Sequence, residues 1–331
     1  MQTIRARCLA MGLIGTLSLL AGPGSLYSVW AQQPTVKKGE SAPVAQSGQT
    51  KPPVLEPELE SEPEVEKSSR EPRLVPRLLR LKVLTPEQLE EAEHLKKLAA
   101  KFGTDPTAIV GRVQLSSQYA DLTQGSRLVS TVARVDLPFR GNWLFRMDLP
   151  FQRWNDPNRS GTTSDNGNGD LSASVGWRAY NTPEYAFFIG MTSTFPTAGA
   201  DGLGSGKYTT GPLIATARFL PRLESFLFGI FQHVVSVGGD PSRKDIEVTR
   251  VTAQVTTIWA DRWWTIAQGL WQVDWERNTQ SSMTLEFEGG RSLVGLWGAY
   301  VRPGVGVWGR EVPGAYEWNV EIGIRRMFGS F

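Results

Sequence analysis

The feature that most constrains this chain is the alternation of apolar and polar residues along its last segment, Tyr316–Phe328. Successive side chains of a β-strand point to opposite faces, so this segment is predicted to be a strand with one apolar and one charged face. Trp318 and Ile322 lie on the apolar face, and Glu321 lies on the other. Such a strand, ending on the aromatic Phe328 in a chain with an export signal, is typical of the last strand of an outer-membrane β-barrel. We expect the barrel-assembly machinery to engage the chain through this segment.

Residues 1–31 are predicted to be a secretory signal peptide. They contain a basic start, an apolar core from Leu9 to Leu20, and a permitted cleavage site at Val29–Ala31. An uncleaved anchor is the alternative, which the short apolar core disfavours. Cys8, the only cysteine, lies inside this signal. The exported chain is therefore expected to have no disulfide, no thiolate ligand and no cysteine nucleophile.

Residues 32–84 are predicted to be a disordered linker, and residues 85–103 a short amphipathic helix. The linker is rich in Pro and Glu and cannot bury enough apolar surface to fold. Thr85 and Gln88 form a capping box at the start of the helix, and Gly103 can end it. The apolar stripe of the helix must pack on something. The barrel, a second copy of the chain and a periplasmic partner all remain open.

Residues 108–331 are predicted to form an antiparallel transmembrane β-barrel of about 12 strands. Short turns and longer polar loops alternate along the chain, as they do in a barrel whose two termini are periplasmic. The short turns are predicted at residues 140–142, 181–184, 221–224, 260–262 and 289–291. The last of these separates a tenth strand, Met283–Glu288, from an eleventh, Leu293–Trp308.

Aromatic residues cluster beside the predicted short turns, as in the girdle at a membrane interface. The clusters are Phe139 with Trp143, Tyr180 with Tyr185, and Trp259 with Trp263 and Trp264. A soluble two-sheet sandwich would explain the alternation of polarity. It would explain neither the alternating connection lengths nor the aromatic clusters.

Three segments carry a family resemblance: GNGDLSASVGWRAY (Gly167–Tyr180), TFPTAG with LGSGKYTTGP (Thr194–Pro212), and GIRRMF (Gly323–Phe328). In these segments the chain resembles the outer-membrane transporter-like family of the meta-pathway of phenol degradation. The resemblance covers residues 109–328 and leaves out the linker and the helix. It implies a barrel in the outer membrane of a Gram-negative bacterium, through which small solutes pass, apolar or aromatic ones among them. It implies no catalytic residue.

If the apolar faces meet lipid, the charged residues of the opposite faces are candidates for lining the lumen. The second to eighth strands contribute Arg134, Arg146, Arg178, Arg218 and Arg250, with Asp136 and Asp148 among them. The later strands contribute Asp274, Glu276, Glu286, Glu288 and Glu321, with Arg325. A basic arc is thus predicted to face an acidic arc. Either the two arcs set a transverse field that selects polar or polarisable solutes, or their charges pair across the lumen and close it.

Enzymatic, metal-dependent and nucleic-acid-binding functions are not predicted. The net charge is only +2, and His94 and His233 are the only histidines. Residues 165–170 are composed like a calcium loop, but Gly176 stands where the twelfth-position carboxylate is needed, so a turn is expected. Gly202–Lys207 mimics part of a phosphate-binding loop without its helix, so a mobile loop is expected. The expected partners are outer-membrane lipids and a small solute, with no cofactor. An alternative function is a structural anchor that tethers the periplasmic arm and helix.

Overall fold

The computed structural model describes residues 84–158, 164–259 and 262–329. The predicted signal peptide, and the predicted linker up to residue 83, lie outside the described residues. Within these ranges, no helix is long and apolar enough to cross a membrane.

In the described residues, thirteen β-strand segments form one antiparallel sheet that closes on itself. They are β1 (Gly111–Asp121), β2 (Arg127–Phe139), β3 (Trp143–Asn155), β4 (Ser164–Asn168), β5 (Leu171–Asn181), β6 (Tyr185–Phe195), β7 (Lys207–Leu220), β8 (Ser225–Gly239), β9 (Glu247–Trp259), β10 (Trp263–Asp274), β11 (Gln280–Ser292), β12 (Trp297–Trp308) and β13 (Trp318–Phe328). Both β4 and β5 pair with β3, so together they occupy one position in the wall. The thirteen segments therefore make a 12-stranded barrel, as predicted, which closes where β1 pairs with β13.

The short connections follow β2, β5, β7, β9 and β11, at the end of the barrel where β1 begins and β13 ends. The turn predicted at residues 289–291 is wrong. Strand β11 continues to Ser292, and the chain turns at residues 293–296 instead. Gly289 and Gly290 lie within β11 and do not form a turn.

Side chains of the strands alternate between an exposed outer face and a buried inner face. On β13, Trp318, Ile322 and Ile324 are exposed while Glu321 and Arg325 are buried, as predicted. The exposed face also carries the aromatic residues predicted beside the short turns, namely Phe139, Trp143, Tyr180, Trp259 and Trp263. A closed sheet with an apolar outer face has no second sheet to cover it, which excludes the soluble sandwich. Such a barrel lies in the outer membrane of a Gram-negative bacterium, with lipid against this face.

Trp264 is the exception among these aromatics, because its side chain is fully buried and points into the lumen. The indole lies against the backbone of β11 and β12. A Cβ atom on Gly290 would overlap the indole ring, and one on Gly298 would lie 2.9 Å from its Cη2 atom. Gly290 is therefore a site of close approach within the strand.

Substituting Gly290 by Ala is expected to lower the free energy of unfolding by about 1–3 kcal/mol, because the added methyl group overpacks the wall against Trp264. Gly289 is the matched control, since a Cβ atom there meets no described atom within 4 Å. Denaturant unfolding of the two variants in lipid vesicles measures the difference. Equal stabilities would show that the indole can leave its position at no cost.

Candidate functional site in the barrel lumen

The helix α1 (Pro86–Phe102) has the capping box that the sequence predicts. The Thr85 hydroxyl accepts a hydrogen bond from the Gln88 amide at 3.3 Å, and the Gln88 side chain accepts one from the Thr85 amide at 3.2 Å. Gly103 ends the helix in the left-handed region with φ of 67°. The buried stripe consists of Ala92, Ala99 and Phe102. Of the three packing partners left open by the sequence, the structure shows the barrel.

The carboxyl end of α1 packs inside the lumen. Phe102 stacks on Trp264 with ring centroids 5.4 Å apart. Ala99 and Phe102 form a buried cluster with lumen-facing side chains of β9, β10 and β12, which are Ile258, Trp264, Ile266 and Tyr300. This cluster holds the helix against one side of the wall.

Residues 103–110 cross the lumen between α1 and β1. The Thr104 carbonyl accepts a hydrogen bond from Gln254 Nε2 at 3.3 Å, and Asp105 accepts bonds from both the amide and the hydroxyl of Thr107 at 2.8 and 2.6 Å. Ile109 then packs among inner-face side chains of β3, β6, β7 and β8, which are Leu144, Phe188, Leu213, Ala215 and Ile230. Helix α1 and residues 103–110, together termed the plug, thus contact both sides of the lumen.

Lys96 ties the plug to the short-turn end of the barrel. Its Nζ atom donates to the carbonyl of Thr182, in the turn between β5 and β6, at 2.7 Å, and to that of Tyr185 at 3.5 Å. Burial lowers the pKa of the Lys96 ammonium, an effect opposed by Asp105 and reinforced by Arg178. The plug therefore occupies the part of the lumen at the short-turn end.

The loop between β6 and β7 folds over the outer end. The Asp170 carboxylate accepts hydrogen bonds from the Ser205 amide at 2.7 Å and the Ser205 hydroxyl at 2.9 Å. Leu203 is buried among Ala120, Leu128, Trp154, Leu270 and Tyr316. The segment Gly202–Lys207, expected to be a mobile loop, is instead held in place. Residues 165–168, expected to form a turn, belong to β4, and the Asp170 carboxylate fixes the β6–β7 loop.

On β1 to β3, charged side chains pair along the inner wall. Arg134 binds Asp148 through two hydrogen bonds of 2.6 and 2.8 Å. Asp136 accepts from Arg112 on one side at 2.6 Å and from Arg146 on the other at 2.8 Å. Three arginines thus share two aspartates, and each pair joins neighbouring strands.

A second network lies on β11 to β13. Arg302 binds Glu288 and, at 3.3 Å, Glu321. Arg325 binds Glu288 at 3.0 Å, and the Trp264 indole donates to the same carboxylate at 2.6 Å. Glu286 accepts from Tyr316, Asn319 and Gln268. Here three glutamates share two arginines.

The predicted division into a basic arc and an acidic arc is therefore not what the described residues show. Both signs lie together on β11–β13 and β1–β3, which are contiguous in the closed sheet, and this part of the lining is termed the charged wall. Strands β6–β8 form the apolar wall, with buried Phe188, Leu213, Ala215, Phe219, Phe226, Phe228 and Ile230. The ion pairs run along the charged wall rather than across the lumen, so these charges do not close it.

The structure places most predicted lining residues in the lumen. Arg134, Arg146, Asp274, Glu286 and Glu321 face inward among other buried inner-face residues, as do Arg178 and Arg250 on the strands flanking the apolar wall. Asp274 binds Arg277 at 3.1 Å. Arg250 donates to Gln272 at 3.4 Å.

Two predicted lining residues lie elsewhere. Arg218 is on the outer face of β7, with its guanidinium 5.6 Å from the Tyr185 ring, because the apolar residues of β7 alternate into the lumen. Glu276 is exposed in the turn after β10, which ends at Asp274. The prediction assumed that the polar face of each strand lines the lumen. This assumption failed on β7, where neither face is consistently polar.

Sequence reasoning missed Arg112, Arg302 and the lumen position of Trp264. Arg112 alternates with Gln114 and Ser116 on the same, inward face of β1, and this alternation could have identified it as a lining residue. Arg302 precedes Pro303 in the strand predicted at Leu293–Trp308, from which no lining residue was predicted. Of the two histidines, His94 is exposed on α1, and His233 faces outward on β8 with Nδ1 2.9 Å from the Thr249 hydroxyl. No group of three or more potential metal ligands is found in the described ranges.

No protein-family model matches the sequence, and no curated protein matches it significantly. Among solved structures, an outer membrane channel from Pseudomonas putida F1 is similar with a TM-score of 0.51 and 13% identity, over 68% of this chain and 99% of its own. The NanC porin has a TM-score of 0.48 and 13% identity, over 65% and 98% of the two chains. The KdgM porin has 0.47 and 6%, over 66% and 99%. At 13% identity, the similarity to the Pseudomonas putida channel concerns the fold alone, which is that of an outer-membrane β-barrel.

Proposed function

We propose that this protein is an outer-membrane channel for small solutes, and that the plug closes its periplasmic part. The observation that carries the proposal is that the lumen is blocked by a segment that precedes the barrel in sequence. In small barrels without a channel, side chains of the wall itself fill the interior. Here a segment outside the wall occupies that space, and its removal would leave a passage.

The chemistry of the lumen supports a passage for water and polar groups. Several buried side-chain atoms have no hydrogen-bond partner within the described part of the chain, among them Ser130 Oγ, Arg178 Nε and Gln232 Nε2. Buried polar atoms in proteins are almost always paired with protein or water. Their distribution around the wall fits a hydrated lumen.

The two walls of the lumen indicate the class of solute. The apolar wall suits an aliphatic or aromatic body, while the charged wall offers guanidinium and carboxylate groups to polar substituents. Small aromatic acids combine both features, which agrees with what the family resemblance implies. A barrel that only tethers its periplasmic arm would need an available helix, whereas the apolar stripe of α1 is buried in the lumen.

Liposome swelling with a form lacking the plug tests the proposal, using benzoate and gluconate, an acid of the same charge that lacks an aromatic ring. Benzoate is expected to enter faster. Substituting Phe228, buried on the apolar wall, by Ala should lower the ratio of the two rates about threefold or more, because apolar contact area is lost. Phe231 on the outer face, 40% exposed, is the matched control. If neither solute enters with the full chain or with a form lacking the plug, the channel proposal is wrong.

A further inference from the structure

Two arginines occupy the outer face of the barrel at the end opposite the short turns. Arg127 is the first residue of β2, and Arg153 lies on β3. Val129 is the direct partner of Arg153, and Arg127 pairs with Asn155. The two arginines are thus diagonal neighbours, about 7–8 Å apart and within joint reach of one ligand. Both are exposed.

Their height places them at the outer edge of the lipid. Trp143, in the aromatic girdle at the short-turn end, lies on the same strand ten positions before Arg153. A tilted strand gains about 2.5 Å of height per residue, so Arg153 stands about 25 Å above Trp143, close to the full height of the apolar band of such barrels. The guanidinium groups therefore lie at the level of the outer-leaflet headgroups.

A shallow, open groove of about 560 Å³ lies on this face with Arg153 in its lining, and Arg127 stands beside it as the diagonal neighbour of Arg153. Its lining includes Val129 and Phe151, both exposed, with Arg153 at its edge and Gly167 and Asn168 of β4 on the other side. Phe151 precedes Arg153 by two residues, so the apolar floor lies about 5 Å below the cations, at the depth of acyl chains.

Other outward-facing arginines are placed differently. Arg218, Arg291 and Arg326 lie near the short-turn end, each with its guanidinium over an aromatic ring, at 5.6 Å from Tyr185, 4.9 Å from Trp263 and 5.8 Å from Trp297. Within the described part of the chain, Arg127 has a distant contact with Asp121, at 3.9 Å, and its side chain is 65% exposed. Its guanidinium is available to an external anion.

We propose that this groove is a binding site for a phosphate-bearing lipid of the outer leaflet. Arg127 and Arg153 hold the phosphate, since guanidinium groups bind phosphate through paired, charge-assisted hydrogen bonds. An acyl chain of the same lipid lies over Val129 and Phe151. The occupant is a lipid because lipid already covers this face of the barrel, and it is anionic because two cations meet at its headgroup level.

Native mass spectrometry of the full chain in detergent tests the site, with lipid A and the same lipid stripped of its phosphates as probes. The full chain is expected to retain lipid A about tenfold more than the stripped lipid, and the R127Q/R153Q variant is expected to lose this preference. R291Q/R326Q, which removes the same charge at the short-turn end, is the matched control. Heat-dependent mobility in gels verifies that each variant is folded. Equal retention of both lipids, or equal retention by the two double variants, would overturn the site. The channel proposal is unaffected by either result.

The apolar floor is tested separately by Phe151→Ser, which leaves both cations in place. This variant should retain lipid A several-fold less than the unaltered chain, because acyl contact is lost. Phe287→Ser, on the outer face of β11 and 52% exposed, is the control. An equal loss in both variants would show general loss of lipid contact, and would contradict a groove specific to β2–β4.

Discussion

Deleting residues 85–107 is expected to raise the single-channel conductance in planar bilayers on the order of tenfold or more. These residues include α1 and most of the segment that crosses the lumen. They contribute no strand to the wall, so the barrel should still close. The charged wall keeps its ion pairs, because the bonds of Arg134 to Asp148 and of Arg302 to Glu288 join strands and not the plug.

A point substitution should loosen the plug without deleting it. Lys96→Met keeps the aliphatic stem but removes the charged donor to the carbonyls of Thr182 and Tyr185. A hydrogen bond from a charged group contributes about 1.5–3 kcal/mol, so the open fraction is expected to rise about tenfold or more. Lys97→Met is the matched control, because Lys97 pairs only at the surface, with Glu93 at 2.8 Å.

The deletion and the Lys96→Met variant together distinguish closure by the plug from closure by other parts of the barrel. Lys96→Met is expected to show more frequent open bursts, with the same current amplitude as the deleted form. Such bursts would show that the plug moves as a unit. Unchanged conductance in the deleted form would mean that the outer loops, held by Asp170 and Tyr316, close the lumen on their own. In that outcome the plug would not be the element that closes the channel, while the barrel fold would stand.

The barrel itself could be predicted from the sequence because its signal is local. Alternation of polarity with a period of two is present in each strand, and the last strand was predicted to end at Phe328, where β13 ends. Strand number followed from the alternating lengths of the connections. The failure at residues 289–291 has a physical cause. Glycines that form a turn and glycines that accommodate a ring are the same residues in sequence, and only the position of Trp264 distinguishes them.

The lining of the lumen was predicted less well, because the prediction assumed that the inner face of every strand is polar. On β8, Phe226 and Phe228 point inward while Phe231 points outward, so both faces read as apolar. On β7 the same ambiguity put Arg218 on the wrong side. Which strands face an apolar interior depends on what occupies the interior, and that is a contact between residues distant in sequence.

The plug shows the same limit. The caps at Thr85 and Gly103 define the helix locally, so its bounds were predictable. Its location was not, because the stripe that includes Ala99 and Phe102 carries no information about which apolar surface it meets. Its partner, Trp264, stands beside a short turn with two other tryptophans, and this position fits the interfacial girdle equally well. The pairing of Phe102 with Trp264 joins residues more than one hundred and fifty positions apart, and no local rule reaches that far.

Substituting Arg302 by Met is expected to lower the free energy of unfolding by about 3–5 kcal/mol, because it leaves buried carboxylates without their main cation. Arg302 is bound to Glu288 and Glu321, and Glu286 lies 4.0 Å away. Arg325 can neutralise only part of this negative charge, since one guanidinium that binds Glu288 at 3.0 Å cannot balance three carboxylates. Denaturant unfolding in lipid vesicles measures the loss.

Two further variants determine whether the loss arises from unpaired charge. Arg326→Met removes an arginine on β13 that faces outward over Trp297, and it should change the stability by about 1 kcal/mol or less. Combining Arg302→Met with Glu321→Gln should recover part of the loss, because one stranded carboxylate is neutralised and its amide can still accept from the Tyr300 hydroxyl. If Arg302→Met costs no more than Arg326→Met, water reaches the carboxylates and the charged wall is hydrated along β11–β13. In that case its glutamates face the passage directly, and they would select solutes by charge rather than stabilise the fold.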